Sequence, residues 1–237
     1  MSIGSKAAAF AVLARMLMFA LHDLRPEWIA AVWVIAALTM IVGNVVAIAQ
    51  DNIKRMLAYS SIAHAGYIMV GIAARNELGT QSIPFYLISY AFMNLGAWAV
   101  VTAVTKKGEE AVGLSDYSGL FWSNPVLAGL MGLFMFALAG LPPTAGFTAK
   151  IFVFGAGLQA DMIGLVIVAI VTTIISAYFY LRVTVIMFMQ RPEEPPEVKI
   201  STPMAVALAI AAAGTVWFFF FPTTSQAFTV AVSRMLL

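Results

Sequence analysis

Apolar residues run along this chain in long blocks separated by short polar stretches. They follow neither the strict alternation of a half-buried strand nor the one-sided stripe of a surface helix. The blocks cover 7–21, 28–50, 56–74, 83–105, 125–159, 162–189 and 203–221. Most hold about 20 residues, enough to cross a hydrocarbon core of about 30 Å as a helix. The pattern predicts an all-α membrane protein, a single transmembrane domain over 1–237 with about seven transmembrane helices. The first block is short, is interrupted by Arg15 and follows Lys6, so it reads as the remainder of a longer span. Trp28 and Trp33 place one end of the second block near an interface.

The fifth block, 125–159, is too long to be one straight span: as a continuous helix it would extend roughly 50 Å. Its middle reads Gly140-Leu141-Pro142-Pro143-Thr144-Ala145-Gly146-Phe147-Thr148-Ala149-Lys150. Pro142 and Pro143 each remove a backbone donor, and Pro142 biases Leu141 away from helix. With Gly140 and Gly146 on either side, the expectation is two half-helices joined by an unwound turn at membrane depth. Irregular backbone at that depth is tolerated only when it is buried in protein or lines a wet cavity. Lys150 follows the break inside the apolar run. A helix break and a lysine at one depth suit an ion path. A kinked helix whose lysine snorkels to the interface is the plainer alternative.

Composition agrees with the blocks: 62% of residues are hydrophobic, 10% are charged, and mean hydropathy is +0.94. The net charge of +2 is spread over loops and suggests no nucleic-acid partner. With no cysteine, disulfides within the chain, thiolate zinc sites and iron–sulfur ligation are excluded. His22 and His64 lie too far apart to form a local metal motif, so no metal site is expected in this chain. The loops after blocks two, four and six carry Lys54, Arg55, Lys106, Lys107, Arg191 and Lys199, and the opposite side carries Arg25, Arg75 and Arg234. The positive-inside rule then puts the first set in the cytoplasm and the C-terminus outside.

All 11 carboxylates are expected in loops, whereas the apolar blocks or their edges hold Lys6, Arg15, His64, Lys150 and Arg182. Membrane-depth cations without counter-ions cost several kcal/mol each. A buried lysine can escape by shedding its proton, and an arginine cannot. The acids that would pair with Lys6, Lys150 and Arg182 are therefore expected on another chain or on a part of this one not present. Ser60, His64 and Tyr67 recur at i, i+4, i+7 and share a helical face. That face is either a proton relay, since histidine titrates near neutral pH, or packing between helices. Gly66 and Gly71 permit close helix approach there. Thr172, Ser176 and Tyr180 make a second stripe, read as inter-helix hydrogen bonding, with Tyr178 and Arg182 also four apart.

The run from Asn52-Ile53-Lys54-Arg55-Met56-Leu57 through Ser60-Ser61-Ile62-Ala63-His64-Ala65-Gly66-Tyr67 resembles the antiporter-like membrane subunits of respiratory complex I, the NADH-quinone oxidoreductase. So does Leu141-Pro142-Pro143-Thr144-Ala145-Gly146-Phe147 followed by Lys150, together with Tyr90 to Val100, Asp116-Tyr117-Ser118-Gly119-Leu120 and Tyr178 to Arg182. Subunits of multisubunit cation/proton antiporters are similar in the Lys-Arg and Pro-Gly-Phe elements and fit the other stretches less well. The resemblance implies the second of two inverted helix repeats, each with one broken helix, and hence a truncated chain. It implies a translocase subunit without a redox centre, coupling NADH oxidation and quinone reduction elsewhere in the complex to proton movement. By the same resemblance Lys6, His64 and Lys150 form the proton relay, beside the helix break at Pro142, Pro143 and Gly146. NADH, FMN, iron–sulfur clusters and quinone would be bound by other subunits. The implied partners are other membrane subunits of complex I and the lipid bilayer of a bacterial inner membrane. A cation/proton antiporter subunit and a non-pumping structural remnant stand as alternatives.

Overall fold

The structure, a computed structural model, describes residues 3–21, 25–106, 109–190, 196–222 and 230. His22, Lys107, Arg191 and Arg234, with the loop prolines Pro192 and Pro195, lie outside these residues. Helix α1 (Ile3–Arg15) continues through a π-helical turn, Met16–Ala20. There follow α2 (Arg25–Ile48), α3 (Ile53–Ala74), α4 (Glu77–Ala103), the single turn α5 (Leu120–Ser123), α6 (Pro125–Ala139), α7 (Ala145–Gln159), α8 (Ile163–Met189) and α9 (Thr202–Phe220). Among the described residues, 5 helices are long and apolar enough to cross a membrane: α2, α3, α4, α8 and α9. Helices α6 and α7, at 15 residues each, reach about 22 Å and are too short to cross alone.

Several boundaries differ from those expected. Helix α4 starts at Glu77 rather than at residue 83, because the Asn76 side chain accepts from the Gly79 N–H at 2.7 Å and caps the polar first turn. Glu77 thus lies in a helix, where the positive end of the helix dipole favours it. Glu27 also falls within helical backbone, in the first turns of α2, so not every carboxylate is in a loop. The fold is not purely helical either. Strands β1 (Val104–Lys106), β2 (Glu109–Glu110) and β3 (Glu197–Val198) form a small antiparallel sheet in the order β2-β1-β3. The α2–α3 loop joins it through Ile53 N–H to Val112 O at 2.9 Å and Leu114 N–H to Asp51 O at 2.8 Å. The loops after α2, α4 and α8 are therefore tied together at one end of the bundle, as the charge count expects of loops on one side. Lys54 pairs there with Glu110, and Lys106 with Asp116 at 3.1 Å.

Arg182 belongs to that end as well. Its Nη2 lies 2.8 Å from Asp51 Oδ1, and Asp51 is exposed. The expectation of an unpaired membrane cation is wrong for this residue: α8 runs far enough to deliver the guanidinium to the loop, which the linear order of residues conceals.

Small residues bring the central helices together. A Cβ on Gly66 of α3 would meet Met40 Cγ at 2.6 Å and the Ala36 carbonyl at 2.9 Å, so α2 and α3 touch nearly backbone to backbone. The broken segment closes on the same principle. Helix α6 ends on Gly140 at φ 82°, where the Leu141 N–H reaches Phe136 O (3.0 Å) and the Gly140 N–H reaches Ala137 O (3.0 Å). These are the two bonds of a Schellman cap. The chain then passes the cis Pro142–Pro143 bond and re-enters helix after Thr144, whose hydroxyl donates to Leu141 O at 2.6 Å. A Cβ on Gly146 would lie 1.8 Å from Ala137 O, so the start of α7 sits directly against the end of α6.

Gly146→Ala is expected to push the half-helices apart and to cost at least about 3 kcal/mol, the upper range for overpacking, because the obstacle is backbone. Gly129→Ala, at an exposed helical site with open space around its Cβ, should be neutral or stabilising. Thermal unfolding of the purified, membrane-extracted protein, followed by size-exclusion recovery, separates the two. Equal midpoints would disprove the close contact at Gly146.

Candidate functional site

Lys150 lies in the second turn of α7, and its side chain runs back along the break instead of out to the lipid. It is 4% exposed. Its Nζ donates to Ala139 O at 2.8 Å and to Leu138 O at 3.4 Å. The Schellman cap uses Phe136 O and Ala137 O, so Leu138 and Ala139 are carbonyls that the cap leaves over. The ammonium takes their place in the hydrogen-bond scheme at the negative end of the α6 dipole. On its other side it faces the ring of Tyr67 at 5.0 Å from the centroid. Charged hydrogen bonds of about 1.5–3 kcal/mol and a desolvated cation–π contact of about 2 kcal/mol are together comparable with the several kcal/mol needed to bury the ion. Lys150 therefore has partners within this chain, though none of them is the acid expected from elsewhere. Those partners are carbonyl dipoles and a ring face rather than a carboxylate. The snorkelling alternative is set aside by the same contacts.

Helix α3 carries Tyr67 on the face expected, together with His64 and Ser60. All three are buried. Its N-terminus is set by Asn52, whose side chain accepts from Lys54 N–H (2.9 Å) and Arg55 N–H (3.1 Å). Both imidazole nitrogens of His64 meet phenols: Nδ1 lies 2.8 Å from the Tyr86 hydroxyl of α4 and Nε2 3.2 Å from the Tyr180 hydroxyl of α8. The Tyr180 hydroxyl also reaches Ser60 Oγ at 2.5 Å. The result is a continuous line from Ser60 through Tyr180 and His64 to Tyr86. Such a line can take up a proton at one ring nitrogen and release one at the other. Tyr67 donates to Thr172 Oγ1 at 3.2 Å and accepts from Asn44 Nδ2 at 3.3 Å. The stripes on α3 and α8 therefore face each other, and the hydrogen bonding expected of the second is the support of the first. Tyr178 is on the opposite, exposed side of α8 and takes no part.

Lys6, half-buried on α1, donates to Ser61 O at 3.1 Å, so it too has a partner, though not an acid. It lines a cavity of about 80 Å³ with Ser61, Tyr90, Asn94 and Trp98. The cavity has room for a few water molecules, with Lys6, Ser61 and Asn94 supplying polar groups to a mainly apolar wall. The Tyr90 ring lies 4.9 Å from His64. Lys6, His64 and Lys150 are thus strung along one polar interior, with Pro142, Pro143 and Gly146 at its Lys150 end.

Asn44, Tyr86 and Tyr90 were not singled out as site residues by the sequence. Asn44 had a signal, as a lone amide inside the second apolar block. Tyr86 and Tyr90 also had one, lying four apart on one face of α4.

The family model for the NADH:quinone oxidoreductase/Mrp antiporter transmembrane region matches residues 1–176. NADH-quinone oxidoreductase subunit N of Trichlorobacter lovleyi is 49% identical over 91% of this chain and 44% of its own length. NAD(P)H-quinone oxidoreductase subunit 2 of a Synechocystis species is 44% identical over 84% and 38%. Among solved structures, respiratory complex I from Thermus thermophilus with bound aureothin is similar at a TM-score of 0.75 and 34% identity, over 84% of this chain and 45% of that one. The Mrp complex from a Dietzia species is similar in fold at a TM-score of 0.83 and 20% identity, over 97% and 51%. The chain spans about half the length, or less, of the relatives it matches. A family-model match over residues 1–176, most of the chain, shows that it belongs to the NADH:quinone oxidoreductase/Mrp antiporter transmembrane family.

Proposed function

We propose that this chain corresponds to the second repeat of a proton-translocating membrane subunit of NADH-quinone oxidoreductase. It acts as one transmembrane unit over 1–237 in a bacterial inner membrane, with about seven spans and its C-terminus outside. The observation that carries the reading is Lys150, buried on the leftover carbonyls of a broken helix and turned toward the same face of α3 that holds His64. A group with this setting can be held charged and can also give up its proton, because neither its carbonyl partners nor its aromatic one pins the charge as a carboxylate would. Lys6 and the small cavity beside it form the inner end of the path. His64 passes protons between the hydroxyls of Tyr86 and Tyr180, and Lys150 carries them at the break, with water completing the steps between. Other membrane subunits of the complex and the lipid bilayer are its partners. NADH, FMN, iron–sulfur clusters and quinone are held by other subunits, and the energy of that redox reaction is what moves the protons.

A cation/proton antiporter subunit is the second reading, favoured by the fold likeness to the Mrp complex. Among the solved structures, complex I with bound aureothin is similar at 34% identity and the Mrp complex at 20%. Cation/proton exchange in membranes without any quinone-reductase core would support the antiporter reading, and co-assembly with NADH dehydrogenase activity would exclude it.

The test of the main reading is proton pumping per NADH oxidised in the complete complex, with assembly checked on the same membranes. Lys150→Met keeps the length of the side chain and loses the proton, Lys150→Ala loses both, and Lys150→Arg keeps a charge that does not dissociate. All three are expected to depress pumping well below half of wild type while the complex still assembles. Wild-type pumping by the arginine variant would remove Lys150 from the path.

Tyr180→Phe preserves the buried ring and removes the hydroxyl that joins His64 to Ser60. Pumping is expected to fall by about fivefold, the equivalent of one net hydrogen bond of about 1 kcal/mol. Tyr178→Phe, on the exposed side, should leave it unchanged. Equal rates in the two variants would argue against the His64 line.

A further inference from the structure

We infer that Tyr67 is a positioning residue for Lys150, holding the ammonium against the broken helix through the face of its ring. The inference deepens the proposed function and rests on its reading of Lys150 as the proton-carrying group.

Two sets of contacts carry it. The first concerns the ammonium. Its hydrogen bonds run to Ala139 O and Leu138 O on the α6 side, and the Tyr67 ring covers it at 5.0 Å on the other. Gly140, directly beneath, leaves the lysine stem no slack: a Cβ there would stand 2.7 Å from Lys150 Cδ and 3.0 Å from Nζ. The aromatic face supplies a negative quadrupole at a place where the described residues offer no carboxylate, so it attracts the charged form and not the neutral amine.

The second concerns the ring, which is held in its orientation from three neighbouring helices and from its own. Its hydroxyl donates to Thr172 of α8, and that threonine donates onward to Val168 O at 2.8 Å. Asn44 of α2 donates to the same hydroxyl and to Met40 O at 2.7 Å. His64 meets the ring edge-on, centroids 5.7 Å apart at 84°, and Phe154 of α7 packs at 5.9 Å. Tyr67 is itself only 1% exposed. A side chain needed only to fill space would not require two polar anchors on separate helices. Here the anchors aim the face of the ring at Lys150, with the imidazole of His64 nearly perpendicular to it. The ring thereby links the two proton-bearing groups without bonding covalently or by hydrogen to either.

The experiment varies the ring electronics at constant shape. In the complete complex, position 67 is replaced by phenylalanine and then by its mono-, di- and trifluorinated forms through nonsense-codon suppression. All of these lack the hydroxyl equally, so its loss is a constant background. Proton pumping per NADH oxidised is expected to fall stepwise with fluorination, by about threefold to tenfold across the series, with assembly constant. Tyr67→Leu should lie at or below the trifluorinated end. A flat series, in membranes where Lys150→Ala abolishes pumping, overturns the inference and leaves the role of Lys150 standing. Normal pumping by Lys150→Ala overturns both. If phenylalanine at 67 impairs assembly, fluorinated tyrosines, which keep the anchors, replace the series and the same graded fall is required. Thr172→Val, which removes one anchor and leaves the ring, should cost less than Tyr67→Leu. A larger loss from Thr172→Val would overturn the inference, because it would show that the hydroxyl and not the ring is what matters.

Discussion

The contact between the Lys150 ammonium and the carbonyls of Leu138 and Ala139 is the constraint around which this fold is arranged. A half-helix that stops at membrane depth exposes carbonyls with no water to satisfy them. A lysine at the same depth is a charge with no solvent. Each defect alone would be destabilising by several kcal/mol, and each is what the other lacks. Their meeting depends on three backbone choices: Gly140 in the left-handed region, the two prolines after it, and Gly146 with no side chain against Ala137. The rest of the bundle builds the other wall, with Tyr67 delivered by α3 and steadied by α2 and α8.

This arrangement also explains why a polar interior can persist inside so apolar a chain. Nearly every interior donor named here ends on a backbone carbonyl or on another side chain of the same line, which keeps the desolvation cost of each group low. The phenols of Tyr67, Tyr86 and Tyr180 suit the purpose because each buries a large ring while its hydroxyl reaches a partner. Ser60, Tyr180, His64 and Tyr86 therefore form a polar filament inside an aromatic sheath, and the sheath separates it from the lipid-facing surfaces of α2 and α8.

Much of this could be read from the residues. The break was legible because proline and glycine act locally, and Lys150 because a charge inside an apolar run is expensive wherever it points. The face shared by Ser60, His64 and Tyr67 followed from helical spacing alone. Partnership was harder to read. Arg182 looked stranded in an apolar block, yet α8 carries it to Asp51, 131 positions away in sequence. Lys6 and Lys150 look unpaired in the sequence because their partners are backbone carbonyls, which leave no mark there. The start of α4 was placed late because the cap at Asn76 outweighs the polarity of Glu77 to Gln81. The sheet was missed because strands of two or three residues have no periodicity to detect.

That sheet has a mechanical consequence. Adjacent strands stand about 4.8 Å apart, and β1 follows α4 directly while β3 follows the loop from α8, with the α2–α3 turn bonded to the same patch. The feet of three helices are thus riveted to one small plate. The opposite ends are tied as well: α3 turns into α4 within Arg75 and Asn76, the Asn76 side chain donates to Ala156 O of α7 at 2.8 Å, and the Met162 N–H closes the turn from α7 to α8 on Gly157 O at 3.0 Å. Lys150 and the break lie away from the plate, on the two half-helices that contribute no strand to it. The bundle is thus pinned at both ends, and the joint between α6 and α7 that holds Lys150 lies between the two pins.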